Sequence, residues 1–270
     1  MHFLRAGSGP DLILLHGLLG TASAWDGAIP ALGSRAALYA VDALGVGGSD
    51  RVPGLDTRLA AQAGRVCRFM DAVGIDAADF LATSHGGAVA LALAGLYPDR
   101  VRKMALHAPA NPFSRGGEML IRFYLSPVGR SFASRVTQLP RRLQAAALGR
   151  MYGDPSRVRQ GSLDRYLQSL RAPGSIDYVL SLLADWSEDM RWLGGILGRL
   201  RSRPMLLIWG GRDRAVSLDS ARRMQESLPA AELIVLPQAG HLPHEECPEE
   251  FTRAVNSYLC GPKASGRGAV

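Results

Sequence analysis

Three side chains far apart in this sequence have the types and local settings that nucleophilic acyl transfer needs: a hydroxyl, an imidazole and a carboxylate. Ser84 closes the apolar run Asp79-Phe80-Leu81-Ala82-Thr83-Ser84, and small residues follow at once in His85-Gly86-Gly87-Ala88-Val89-Ala90. This reads as a strand entering a sharp turn and then a helix, with the hydroxyl at the apex. Ala82 and Gly86, two before and two after the serine, leave the backbone room to fold tightly there. The strict Gly-x-Ser-x-Gly form is absent. Ser131, in Gly129-Arg130-Ser131-Phe132-Ala133, fits the same relaxed pattern, but it follows no apolar strand and sits among Arg-rich helical segments. A lone relaxed match also describes a strand-end serine near a turn, so the assignment of Ser84 rests on its companions.

His241, in Gln238-Ala239-Gly240-His241-Leu242-Pro243, follows the last apolar run. Asp213, in Trp209-Gly210-Gly211-Arg212-Asp213-Arg214, follows the run before it. Loops at the carboxyl ends of parallel strands are where open α/β sheets build their sites. Taken singly, the histidine reads as a cap or core residue and the aspartate as a turn residue after Gly-Gly. Taken together, they follow Ser84 in the order Ser, Asp, His that suits a nucleophile at a strand-to-helix turn. The oxyanion of such a reaction needs backbone donors. The amide of His85, at the start of the helix, is one. The loop His16-Gly17-Leu18-Leu19-Gly20 should supply the other, with glycines that let it turn its amides inward. His16 is expected to brace that loop. His244 lies in a helix start with Glu245 and Glu246 and is a poor rival base, His107 ends a strand and could line the pocket, and His85 could face the inserted segment. No pair of histidines has a metal-type spacing with a carboxylate, so neither metal nor cofactor is expected.

These residues need a scaffold. Leu12–Leu15, Ala37–Val41, Phe80–Ala82, Met104–Leu106, Met205–Trp209 and Leu233–Leu236 are short, near-continuous apolar runs, as in strands buried on both faces of a parallel sheet. Between them lie helical patterns. Residues 57–73 place Leu59, Ala63, Val66, Phe69, Met70 and Val73 on one stripe, with Arg58, Gln62, Arg65 and Arg68 off it and Asp56 or Thr57 as cap. Helices are also expected at 86–97, 218–228 and 248–259. The alternation predicts an α/β fold with a doubly wound, mostly parallel sheet. It breaks after residue 111 and resumes near 204, so residues 1–111 and 204–262 form the core and 112–203 an inserted α-helical lid. Residues 263–270 read as a disordered tail.

Composition excludes several classes. No stretch of roughly 18 residues is apolar throughout, so no membrane span is expected. No basic segment followed by an apolar one opens the chain, and three cysteines (Cys67, Cys247, Cys260) without metal-type spacing suit a reducing, cytoplasmic setting. The net charge of +7 is carried almost wholly by arginine. Residues 112–203 hold fifteen arginines against seven acids, an excess of eight that accounts for all of it. Dispersed arginines of this kind solvate helix faces, and no aromatic-interleaved patch points to nucleic acid. The other use of such a face is to attract an anionic substrate, an acidic carrier protein or an anionic membrane.

At these residues the chain resembles the α/β-hydrolase superfamily, in the branch with small esterases, pimeloyl-carrier methyl ester esterases, carbon–carbon bond hydrolases and proline iminopeptidases. The resemblance covers residues 2–260. It is carried by His16-Gly17-x-x-Gly20, Trp25, Asp42-x-x-Gly45-x-Gly47-x-Ser49, the turn at Ser84, Tyr97-Pro98-x-Arg100-Val101, Gly210-x-x-Asp213 and Gly240-His241-x-Pro243 with Glu245 and Pro248. It implies that the amides of Leu18 and His85 form the oxyanion hole, that His16 and Gly17 support it, and that the lid shapes the substrate pocket. Three departures stand out. Ala82-Thr83 replaces the more usual Gly-His or Gly-Asn. The family usually has a first β-hairpin upstream of Gly7-Ser8-Gly9-Pro10, so its first strand looks lost or lies outside this sequence. Leu242 stands where carbon–carbon hydrolases often carry an aromatic. A serine at the turn disfavours dehalogenase and epoxide-hydrolase chemistry, which need a carboxylate nucleophile. The expected function is a serine hydrolase cleaving a carboxylic ester of a small or medium-sized molecule. Thioesters, carrier-bound esters, lactones and carbon–carbon bonds are the alternatives, and a ligand-binding protein of the same fold is the alternative outside catalysis.

Overall fold

All six apolar runs become strands, and a seventh precedes them. The computed structural model describes residues 1–114 and 117–259. Its strands are β1 (Phe3–Ala6), β2 (Asp11–Leu15), β3 (Ala37–Val41), β4 (Ala78–Thr83), β5 (Val101–His107), β6 (Met205–Gly210) and β7 (Ala231–Leu236). They form one sheet in the order β1-β3-β2-β4-β5-β6-β7. Every neighbouring pair is parallel except β1 with β3, where Phe3 lies opposite Val41. Residues 3–6, which carry no apolar run, form an edge strand that pairs with β3 and is not one arm of a hairpin. It escaped notice because it is a four-residue edge strand with no fully buried position, and so has no apolar run to read.

The helices are α1 (Ile29–Gly33), α2 (Leu59–Ala72), α3 (Ser84–Leu96), α4 (Glu118–Leu125), α5 (Pro127–Ala133), α6 (Arg141–Gly149), α7 (Ser162–Arg171), α8 (Ser175–Ile196), α9 (Leu218–Ser227), α10 (Pro243–Glu246) and α11 (Pro248–Leu259). Alternate strand residues feed two cores. Ile13, Tyr39, Phe80 and Leu207 pack toward α2, α3 and α9. Leu12, Leu14, Leu38, Leu81 and Ile208 pack toward α1 and α11. Each fully buried leucine or isoleucine contributes about 1.5–3 kcal/mol. That is why the short strands are apolar on both sides. Helix α3 is buried from His85 to Gly95, as expected for a helix apolar all round.

Five helices, α4 to α8, run between β5 and β6. They alter one local expectation. Neither Asp56 nor Thr57 caps α2; the cap position is Arg58, whose side chain makes no capping bond. Instead Asp189 of α8 accepts the Leu59 N–H at 3.0 and 3.2 Å, and the Thr57 hydroxyl donates to Asp185 of α8 at 2.7 Å. With α8 laid against this end of α2, Gln62 and Arg65 are buried rather than solvated. Periodicity sees the stripe that faces the sheet and not a second partner from a distant segment. Among the described residues, no helix is long and apolar enough to cross a membrane. The expected tail at 263–270, Cys260 and Arg115 lie outside the described residues.

Candidate active site

Ser84 is the first residue of α3, directly after β4, with φ of 51°. Positive φ is uncommon for a residue with a side chain and marks a strained turn. The tightness has a visible cause. A Cβ at Gly86 would collide with the backbone carbonyl oxygens of His16 and Leu15, so only glycine lets α3 lie against the end of β2. The β5 exit loop closes on the same point, with the Ala110 N–H donating to the Ser84 carbonyl at 2.9 Å. The alternative serine, Ser131, is exposed within α5 and hydrogen-bonded to Arg135.

Asp213 and His241 meet directly. The Nδ1 of His241 lies 2.8 Å from Oδ2 of Asp213, with the two side chains 6% and 0% exposed. The other oxygen, Oδ1, accepts the N–H groups of Ala215 and Val216 at 2.8 and 2.9 Å. A carboxylate only accepts, so Nδ1 carries the proton and Nε2 is left bare to act as a base. The His241 amide donates to the Met151 carbonyl at 2.6 Å, which ties the histidine loop to the segment after α6. Gly240 permits this approach, because a Cβ there would strike Gly153 and Met151.

The loop after β2 reaches Ser84. A Cβ on Gly17 would lie 3.2 Å from the Ser84 Cβ and 3.8 Å from its Oγ. His16 spans the base of this loop. Its Nε2 accepts the Ala43 N–H at 3.1 Å, so Nδ1 bears the proton it donates to the Gly17 carbonyl at 2.8 Å. Burial holds the His16 imidazole below its ordinary pKa, which keeps it neutral in that bracing position. Leu18 is partly buried within this loop, and the His85 amide sits in the first turn of α3, where N–H groups have no intrahelical acceptor. The arrangement brings Asp213 to His241 and Gly17 to Ser84. Among the described residues no hydrogen bond joins Ser84 to His241.

Several further residues pack near the site. His107 is fully buried with its ring 5.8 Å from that of His241, and its Nδ1 shares a 2.8 Å hydrogen bond with Thr83 Oγ1, one residue before the serine. Burial, with His241 and His244 nearby, pushes His107 well below its ordinary pKa. His244 sits against Trp25, His107 and Phe251, and burial takes it down to about 4. The ring of His85 stacks on Trp186 of α8 at 6.1 Å. Burial takes it to about 4 as well, with His16 adding to the effect. Glu246 accepts from the amides of Gly240, Gly153 and Asp154 at 2.7, 3.0 and 2.9 Å. Glu245 accepts from Tyr152, Tyr166 and Ser162. A Glu pair buried four and five residues after a loop histidine is a signal the sequence does carry, and it marks where that loop is clamped.

Comparison with known proteins agrees with this architecture. Two curated relatives align over almost the whole chain. A 2-hydroxy-6-oxo-6-phenylhexa-2,4-dienoate hydrolase of Burkholderia cepacia is 30% identical, over 96% of this chain and 91% of its own. A pimeloyl-[acyl-carrier protein] methyl ester esterase of Nitrosomonas europaea is 29% identical, over 93% of this chain and 96% of its own. In fold, Cfl2 of Burkholderia cenocepacia superposes with a TM-score of 0.83 at 20% identity, covering 95% of this chain and 91% of its own. The family model described as the alpha/beta hydrolase fold matches residues 10–248, and the chain belongs to that family.

Proposed function

We propose that this chain is a serine hydrolase that cleaves a carboxylic ester through an acyl-enzyme. The observation that carries the reading is the covered His241–Asp213 pair, with its bare Nε2, at the same sheet edge as the strained turn of Ser84. In this reading His241 Nε2 takes the Ser84 proton as Oγ attacks the carbonyl carbon, and the amides of Leu18 and His85 hold the oxyanion. The imidazolium then protonates the leaving alkoxide. In the second half His241 draws a proton from water, which attacks the acyl carbon and releases the acid and free Ser84. Asp213 holds the imidazole in the useful tautomer and stabilises its charged form. The helices α4 to α8 act as a lid that shapes the pocket. An ester is preferred to a carbon–carbon bond because Leu242 stands where an aromatic is common in that branch, and a relative named as a methyl ester esterase is 29% identical over 93% of this chain.

A fluorophosphonate probe tests this directly. The expected result is labelling of Ser84 by mass spectrometry, together with hydrolysis of short nitrophenyl esters. Ser84→Ala should abolish labelling and cut turnover by on the order of 10⁶ with an unchanged melting profile. Retained activity in that variant would overturn the reading.

A further inference from the structure

Two adjacent inner strands, β4 and β5, end side by side. In their parallel pairing Thr83 lies opposite His107, and His107 in turn lies opposite Ile208 of β6. The residue after each strand end bends the same way. Ser84 has φ of 51° and Ala108 has φ of 38°, and these are the two residues other than glycine with positive φ among the described residues. Such conformations persist only where the surroundings fix them. Backbone bonds supply part of the fixing. The Ala110 N–H donates to the Ser84 carbonyl and the Ala108 N–H to the Ile208 carbonyl, each at 2.9 Å.

One side-chain bond joins the two strand ends directly. Thr83 Oγ1 and His107 Nδ1 lie 2.8 Å apart, and both residues are buried. The other ring nitrogen, Nε2, has no partner among the described residues. A phenylalanine could fill the same space and leave no buried polar atom idle, so the bond to Thr83 is what the imidazole adds. The ring is held in place, with its centroid 5.8, 6.1 and 5.9 Å from those of His241, His244 and Phe251. It therefore packs against the candidate base on one side and reaches, through Thr83, the residue before the candidate nucleophile on the other. Burial keeps it neutral, so it sets no charge beside the imidazolium that His241 becomes in the hydrolase reading.

We propose that His107 is a positioning residue: through Thr83 it locks the two strained turns together and sets the Ser84 hydroxyl in line with His241. The chemistry of this proposal rests on the serine-hydrolase reading, while its geometry can be tested apart from it.

The variants are Thr83→Val, His107→Phe, the two combined, and Thr83→Ser. Each is assayed by the rate of fluorophosphonate labelling at Ser84 and by hydrolysis of nitrophenyl esters. Thr83→Val and His107→Phe should each slow labelling and lower kcat by about 10- to 100-fold, the scale on which a misplaced reacting group acts, with KM near that of the parent chain. The double variant should be no slower than the slower single one, because both changes remove the same bond. Thr83→Ser keeps the hydroxyl and should recover most of the rate lost in Thr83→Val. Thr83→Val leaves Nδ1 orphaned and should melt lower, whereas the double variant replaces both partners by apolar groups and should melt near the parent. A role in stability alone predicts that labelling recovers along with the melting temperature. Slow labelling in the stable double variant is the expected result. If the parent labels at Ser84 but the single variants match its rate, or the double variant regains it, the positioning role is wrong and the hydrolase reading stands. Hydrogen exchange at the Ala108 and Ala110 amides reads the turns without any chemistry. It should quicken by about ten-fold or more in the double variant and return toward the parent in Thr83→Ser. If Ser84 of the parent takes no probe while exchange changes in this way, the hydrolase reading falls and the lock between the turns stands. Unchanged exchange overturns the lock in either case.

Discussion

His241 Nδ1 lies 2.8 Å from Asp213 Oδ2, and the aspartate side chain is wholly covered. An imidazole held this way by a carboxylate that is itself pinned by two backbone amides has one orientation and one tautomer. Asp213→Asn keeps the shape and one oxygen but presents an amide donor to Nδ1, which turns the ring or its tautomer to the wrong use. Turnover of nitrophenyl esters should fall by about 10⁴, with KM and melting temperature near those of the parent. A loss below ten-fold would mean that the pair is structural.

Gly86 predicts a stability effect. An alanine there would drive its Cβ into two backbone carbonyls, which cannot step aside as a side-chain tip can. Gly86→Ala should cost about 1–3 kcal/mol and shift the end of β2 against the serine turn. Urea unfolding measures the first, and a reduced rate of fluorophosphonate labelling the second.

Glu246 holds three amides that have no other acceptor, those of Gly240, Gly153 and Asp154. Glu246→Ala leaves all three orphaned and leaves the His241 N–H bond to Met151 as the remaining tie between that loop and the segment after α6. The expected cost is about 2–4 kcal/mol. The same change should lower kcat more than it raises KM, which steady-state kinetics will separate.

Acid should weaken the fold, and the sign follows from the buried imidazoles. His85 and His244 are neutral in the folded chain until about pH 4, whereas unfolded histidine protonates near 6.5. Between those values the unfolded state binds more protons, so stability is full above about 6.5 and is lost as pH falls toward 4. His16 and His107 shift in the same direction. Asp189, raised to about 6 by burial, opposes them, since its folded form takes a proton first on acidification. Four imidazoles outweigh one carboxyl. His244→Phe should therefore melt closer to the parent at pH 8 than at pH 5, where it should be the more stable chain. Equal differences at both pH values would contradict the assignment.

Much of the fold was open to reading from the chain alone. Strands buried on both faces must be apolar throughout, so six of the seven announced themselves, and the core helices at 59–72, 84–96, 218–227 and 248–259 fell within a few residues of their expected bounds. The edge strand at Phe3–Ala6 escaped because an edge has no need of a continuous apolar run. The residue types at 84, 213 and 241, and their order behind successive strands, were equally visible. Their catalytic use is the proposal made above.

What lay beyond reach were relations set by segments far apart in the chain. Asp189 capping α2, Glu246 clamping the His241 loop and the burial of Arg65 all depend on where α8 and the residues after α6 come to rest. Local sequence dictates which face of an element is apolar and where the backbone can turn, because those are properties of a few neighbouring residues. Which distant polar group meets a buried one is decided only when the layers pack, and in this chain that packing covers Arg65 of α2 rather than leaving it a solvated surface charge.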